Sequence, residues 1–205
     1  RAFEIPVQED LSGEIIRLDK VRVIKKHEPV FCEINKVLTR RTRLLVTGPN
    51  GIGKSTLLRA LVGKTQEGLE IAPKVRVGYY SQDFSNLPYD QTAYKVLAAD
   101  LMEGSGEQEL RSLAAGFLLT GEVLSLPVAA LSEGQKGLLA FARLVMLKPG
   151  VLILDEPTNH INFRHLPVIA EALNNYDGAI IMVSHMSEFV SQVRMDEELD
   201  LGKLV

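Results

Sequence analysis

The chain has 205 residues, 46% hydrophobic and 24% charged, enough apolar side chain for one large folded domain and too much for a disordered or fibrous class. Lys and Arg number 23 against 26 Asp and Glu, a net charge of −3, which excludes the global positive field that holds a protein on nucleic acid. One cysteine, Cys32, has no intramolecular disulfide partner and no metal-like spacing around it, so the expectation is a buried, inert thiol in a reducing compartment.

Residues 1–12 read as the end of a linker, and Arg1 in place of an initiating Met leads to the expectation of a piece of a longer protein. From Gly13 to Leu38, Ile15, Ile16, Leu18, Val21, Val23 and Val30 are irregularly interleaved with charge, which predicts exposed antiparallel strands. Arg43 to Thr47 is a short apolar strand entering a glycine-rich turn, and Ser55 to Val62 has helical composition. A further strand is predicted at Lys74 to Ser81, followed by a polar loop from Gln82 to Asp90.

Thr92 to Leu101 and Gln108 to Leu119 carry helix-spaced apolar residues, parted by Gly104-Ser105-Gly106. They predict a small helical subdomain at about residues 88–130. A helix from Ser132 or Glu133 to about Leu147 ends at Lys148-Pro149-Gly150, and Val151 to Asp155 is a strand of the buried type. A helix at Phe163 to Asn175 and a strand at Ala179 to Ser184 repeat the alternation. The fold class is therefore α/β, a mainly parallel sheet covered on both faces, with an antiparallel β subdomain. The longest apolar runs are strand-length, too short to cross a bilayer, so direct membrane insertion is not expected.

Gly48-Pro49-Asn50-Gly51-Ile52-Gly53-Lys54-Ser55-Thr56 matches the P-loop pattern in full, between a strand and a helix. Its glycines let backbone N–H groups wrap phosphates at a helix N-terminus, Lys54 reaches the terminal phosphates, and Ser55 is placed to bind Mg²⁺. Val151-Leu152-Ile153-Leu154 runs into Asp155-Glu156, two acids at the edge where α/β sheets bind ligands. Asp155 is expected to hold Mg²⁺, directly or through water, and Glu156 to polarise the attacking water. Adjacent acids after a strand also fit a helix N-cap, a reading that the upstream P-loop makes the weaker one.

Leu131-Ser132-Glu133-Gly134-Gln135 resembles L-S-G-G-Q, the signature of the ATP-binding cassette superfamily. The resemblance implies that this helix start clasps the γ-phosphate bound to an opposite cassette, although Ser132 and Gln135 also fit an ordinary capping box. Glu133 replaces the usual first glycine; its charge either opposes a phosphate or turns away from it. The resemblance further implies that Gln82 senses Mg²⁺ and water, and that His185 is the switch histidine contacting the γ-phosphate. An aromatic residue that stacks on adenine would fall near Lys25, where none of Ile24, Lys25, Lys26 and His27 is aromatic.

Pro157-Thr158-Asn159-His160-Ile161-Asn162 resembles the ABC-F group, as do the short spacing from Lys54 to Gln82 and the paired tyrosines before Ser81-Gln82. Asn162 stands where an aspartate is usual. What the resemblance implies is a cytoplasmic Mg²⁺-dependent ATPase, the second cassette of a two-cassette protein that acts on the ribosome, working with another cassette and weak alone. An ATPase subunit of a membrane transporter and a nucleotide-gated binding module are the competing readings.

Overall fold

The computed structural model describes residues 3–101 and 105–205, so Gly104 of the expected breaker lies outside the described residues. In chain order the first half contains β1 (Glu14–Lys25), β2 (Glu28–Thr39), β3 (Arg43–Thr47), α1 (Lys54–Gly63), β4 (Leu69–Ile71) and β5 (Val77–Tyr80). Helices α2 (Ala93–Ala98), α3 (Glu107–Gly116), α4 (Gly121–Leu124) and α5 (Glu133–Leu147) follow. Then come β6 (Val151–Asp155), α6 (Leu166–Asn175), β7 (Ala179–Val183), α7 (Ser187–Val190) and β8 (Glu197–Asp200).

Five strands form a sheet in the order β5-β6-β7-β3-β8, every neighbouring pair parallel. The other sheet is antiparallel, in the order β2-β1-β4. The period-2 alternation of β6 and β7 sorts their side chains onto two faces. Leu152, Leu154, Ile180 and Met182 join the helices in one apolar cluster, with Phe141 of α5 and Leu173 of α6. Val151, Ile153, Ile181 and Val183 join the other, with Leu57 and Leu61 of α1 and the inner face of β1. Strands covered on both sides need apolar residues at every position, and β6 and β7 are buried throughout.

Strand β1 corrects one expectation. It is not an exposed strand: Ile15, Ile16, Leu18, Val21 and Val23 are buried, because β1 is the centre of its sheet and lies over α1 and β3. The exposed strand is β2, whose Phe31 is 58% accessible. Cys32 on β2 is a free thiol only partly buried, its Sγ donating to the Leu204 carbonyl at 3.6 Å. Strand β4 has three residues, too few for periodicity to reveal. The predicted helix from Phe163 begins instead as a 3-10 turn, Phe163–His165, which the Asn162 side chain caps by accepting from Arg164 N–H at 3.0 Å.

Residues 3–12 contain no helix or strand and lie against the body. Phe3 packs on Phe117 with ring centroids 4.7 Å apart, and Gln8 is buried, donating to Lys74 O at 2.9 Å and accepting from Arg76 N–H at 2.8 Å. Arg43, in β3, is wholly buried. Its Nη2 donates to Leu173 O at 2.6 Å, which also accepts the Tyr176 N–H at 3.3 Å, and to Tyr176 O at 2.8 Å, just past the end of α6. Burial pushes the guanidinium pKa down, Arg194 adding to the effect and Asp196 opposing it.

Candidate active site

The loop from Gly48 to Gly53 has the backbone its glycines permit. Gly48, Gly51 and Gly53 take φ of 143°, 83° and 118°, values that residues with a Cβ rarely adopt. A Cβ at Gly48 would also lie 3.0 Å from Ile52 Cγ2, and one at Gly53 3.1 Å from Arg22 O. Gly53 is the N-cap of α1 and offers no side chain to satisfy the first-turn N–H groups, which leaves them for an anion. Lys54 is buried, and its Nζ donates to the carbonyls of Gly48 and, at 3.2 Å, Pro49. Ile24 N–H donates to Ile52 O at 3.0 Å, tethering the β1–β2 hairpin to the loop.

Three neighbouring strands of the parallel sheet, β5, β6 and β7, deliver the remaining residues at one edge. Asp155 ends β6, 1% accessible, and its Oδ1 is buried without a hydrogen-bond partner. Glu156 follows with φ of 50°, a left-handed conformation strained for glutamate. Its N–H donates to Val183 O at 2.8 Å, and its Oε2 accepts from His185 N–H at 3.1 Å. The imidazole Nε2 of His185 lies 3.3 Å from Glu156 Oε1; the two atoms are close but not aligned as a hydrogen bond, since Oε1 has no partner by geometry. Gln82, beyond β5, is exposed.

A cavity of about 480 Å³ brings most of these groups together. Asn50, Gly51, Gly53, Lys54, Ser55 and Thr56 form one wall. Gln82, Glu156 and His185 form the other, with Asn159, Ile24 and Val183. The hairpin side chain facing the cavity is thus Ile24, one residue before the position where sequence spacing looked for an aromatic. Asn159 was read only as part of the T-N-H run, so its place in the wall is new. Asp155 sits beside the cavity, behind Ser55.

The signature residues Ser132, Glu133, Gly134 and Gln135 do not line this cavity. They open α5 with a capping box: Ser132 Oγ accepts from Gln135 N–H at 3.1 Å, and Gln135 Oε1 accepts from Ser132 N–H at 2.9 Å. The Glu133 side chain lies against its own chain. Its Oε1 accepts from Lys136 Nζ at 2.9 Å and its Oε2 lies 3.9 Å from His160 Nε2, so the carboxylate is neutralised within its own chain.

The cavity electrostatics follow from desolvation. Burial raises the Asp155 carboxyl pKa, with the Ser55 hydroxyl, Arg59 and Lys54 offsetting it. Burial likewise raises Glu156, offset by the His185 N–H and imidazole, and lowers Lys54, which the two carboxylates support. A carboxyl whose pKa is raised on folding adds stability only at low pH and loses it as pH rises through the folded value. In metal- and nucleotide-free protein at neutral pH, Glu156→Gln should therefore raise the melting temperature by about 2 °C or more. That gain should shrink as pH falls towards the ordinary carboxylate range. Calorimetry across pH checks it, and a gain that grew on acidification would contradict the burial argument.

The family described as ABC transporter matches residues 32–159. "Probable ATP-binding protein YbiT" of Escherichia coli O157:H7 is 38% identical over 169 residues, 80% of this chain and 32% of that protein. ATP-binding cassette sub-family F member 3 of Homo sapiens is 36% identical over 191 residues, 90% of this chain and 27% of its own. The chain spans less than a third of the length of these relatives. A bacterial Atm1-family ABC exporter with ATP bound has the same fold, with a TM-score of 0.73 and 20% identity over 97% of this chain and 39% of that one. The chain belongs to the ABC transporter family, and among its cassettes is similar to those of sub-family F.

Proposed function

We propose that this cassette binds Mg²⁺ and ATP in the cavity beneath Gly48–Thr56 and hydrolyses the nucleotide when a second cassette closes over it. The observation that supports this most is the convergence of Lys54, Ser55, Gln82, Glu156 and His185 on one cavity, with a partnerless buried oxygen on Asp155 beside it. That oxygen, the Ser55 hydroxyl and the Gln82 side chain are hard oxygen donors of the kind Mg²⁺ takes alongside substrate phosphates, so the residues fit the ion and would hold it. When bound, Mg²⁺ neutralises charge on the phosphate oxygens.

The chain's own groups supply the rest. The α1 N–H groups and Lys54 hold the phosphates and balance charge as the γ-phosphoryl group departs. Glu156 polarises the attacking water for in-line displacement, its carboxylate aimed by the His185 N–H. His185 is half exposed beside it and reaches the γ-phosphate. The helix start at Ser132–Gln135 points to a different surface, so a complete site needs the signature face of another cassette and an isolated one turns over weakly. Lys54→Ala removes a buried cationic donor and should weaken nucleotide binding roughly ten- to hundredfold. Titration with a fluorescent ATP analogue measures this, with circular dichroism as the control for folding.

We read the pair as two cassettes of one cytoplasmic, ribosome-associated protein, supported by Thr158-Asn159-His160 and by relatives of sub-family F that are more than three times as long as this chain. The transporter alternative places the membrane-spanning part outside the described residues, since no helix among them is long and apolar enough to cross a membrane. Full-length protein carrying Glu156→Gln should co-sediment with ribosomes in ATP. Recovery with a multi-span membrane protein instead would put the transporter reading in its place.

A further inference from the structure

His160 stands where three segments of the site meet. Its own loop folds back below the carboxylates, Asn159 N–H donating to Glu156 O at 3.3 Å and Ile161 N–H to Thr158 O at 3.1 Å. Its ring packs against Phe84, two residues beyond Gln82, with centroids 5.5 Å apart. Its Nε2 lies 3.9 Å from Glu133 Oε2 at the start of α5. Its main chain follows the same helix turn: a Cβ at Gly134 would lie 3.8 Å from His160 O, and one at Gly137 2.9 Å from Ile161 Cδ1.

Phe84 gives the junction a second distinguishing feature. It is 1% accessible yet has φ of 56°, a conformation that a bulky residue keeps only where its surroundings over-determine it. Those surroundings are Tyr80 on one side, edge to face at 5.8 Å, and the His160 ring on the other. An exposed His–Glu contact contributes little to stability by itself. The same imidazole, however, joins the Phe84 segment to the first turn of α5, which deeper in the core meet through Tyr80, its ring 4.9 Å from Phe141.

We propose that His160 is a positioning residue that keeps the Gln82 segment, the loop after Glu156 and the first turn of α5 in one register. The face that meets this cassette's own nucleotide and the face offered to the partner's then move together. The proposal rests on the ATPase reading above. Glu133, the departure from the signature pattern, is the anchor on the α5 side.

The test is steady-state ATP turnover and nucleotide binding by the full-length protein, comparing His160→Ala, His160→Phe, Glu133→Gln and the double variant of His160→Ala with Glu133→Gln. His160→Ala should lower kcat about tenfold and leave KM and nucleotide Kd within about twofold, because His160 does not line the nucleotide cavity. His160→Phe keeps a ring on Phe84 but cannot meet Glu133, and should restore only part of the rate. The double variant should lose less than the product of the two single losses, the mark of groups acting through one contact. Wild-type kcat in His160→Ala, losses that multiply in the double variant, or a fall in kcat matched by KM and melting temperature would each overturn it. Inert wild-type protein overturns the ATPase reading itself; active wild type indifferent to His160→Ala overturns this proposal alone.

Discussion

Full-length protein carrying Glu156→Gln is expected to bind ATP as well as wild type and to turn it over at least a hundredfold more slowly, within the range that a positioned general base supplies. The substitution conserves shape and leaves the His185 N–H with an amide oxygen to donate to, so the backbone at Glu156 has no new reason to move. Only the negative charge that polarises water is lost. Because binding persists while hydrolysis stops, the two cassettes should accumulate in the closed, nucleotide-bound pair, visible as a compact species by small-angle scattering. Turnover equal to wild type would mean that another group activates the water.

The second large effect concerns stability. Arg43→Met should destabilise the fold by about 3 kcal/mol, because it deprives the buried carbonyl of Tyr176 of its donor and that of Leu173 of one of two. Methionine fills part of the volume but satisfies neither oxygen. For a chain of this size the melting temperature should fall by about 10 °C. Arg43→Lys should recover part of the loss, since one ammonium can reach one of the carbonyls but cannot span both in the plane of a guanidinium. A variant as stable as wild type would show that the end of α6 finds other donors.

These two residues mark what was legible in the sequence. Glu156 could be found by reading along the chain, because a P-loop, a strand ending in acids and a capped helix start are local patterns whose chemistry lies in a few consecutive residues. Arg43 could not: its partners are 130 and 133 residues away, and a charged residue opening an apolar strand reads as its exposed end. The same reason hid the meeting of Phe84, Glu133 and His160, three residues from separate segments. Strand β1 was misjudged because its charged residues obscured an inner face that only sheet position reveals. Ile24, not Lys25, lines the cavity where the hairpin is pinned to Ile52 of the phosphate loop, a contact between distant segments with no sequence signature.

The order of strands has a consequence beyond placing residues at one edge. The phosphate loop follows β3 and the carboxylates follow β6, with β7 between them. Neighbouring strands lie about 4.8 Å apart, so the main chains that lead into these two groups are held about 10 Å apart by hydrogen bonding. That spacing is a gauge set by the backbone, and lengthening or shortening a single side chain cannot reset it.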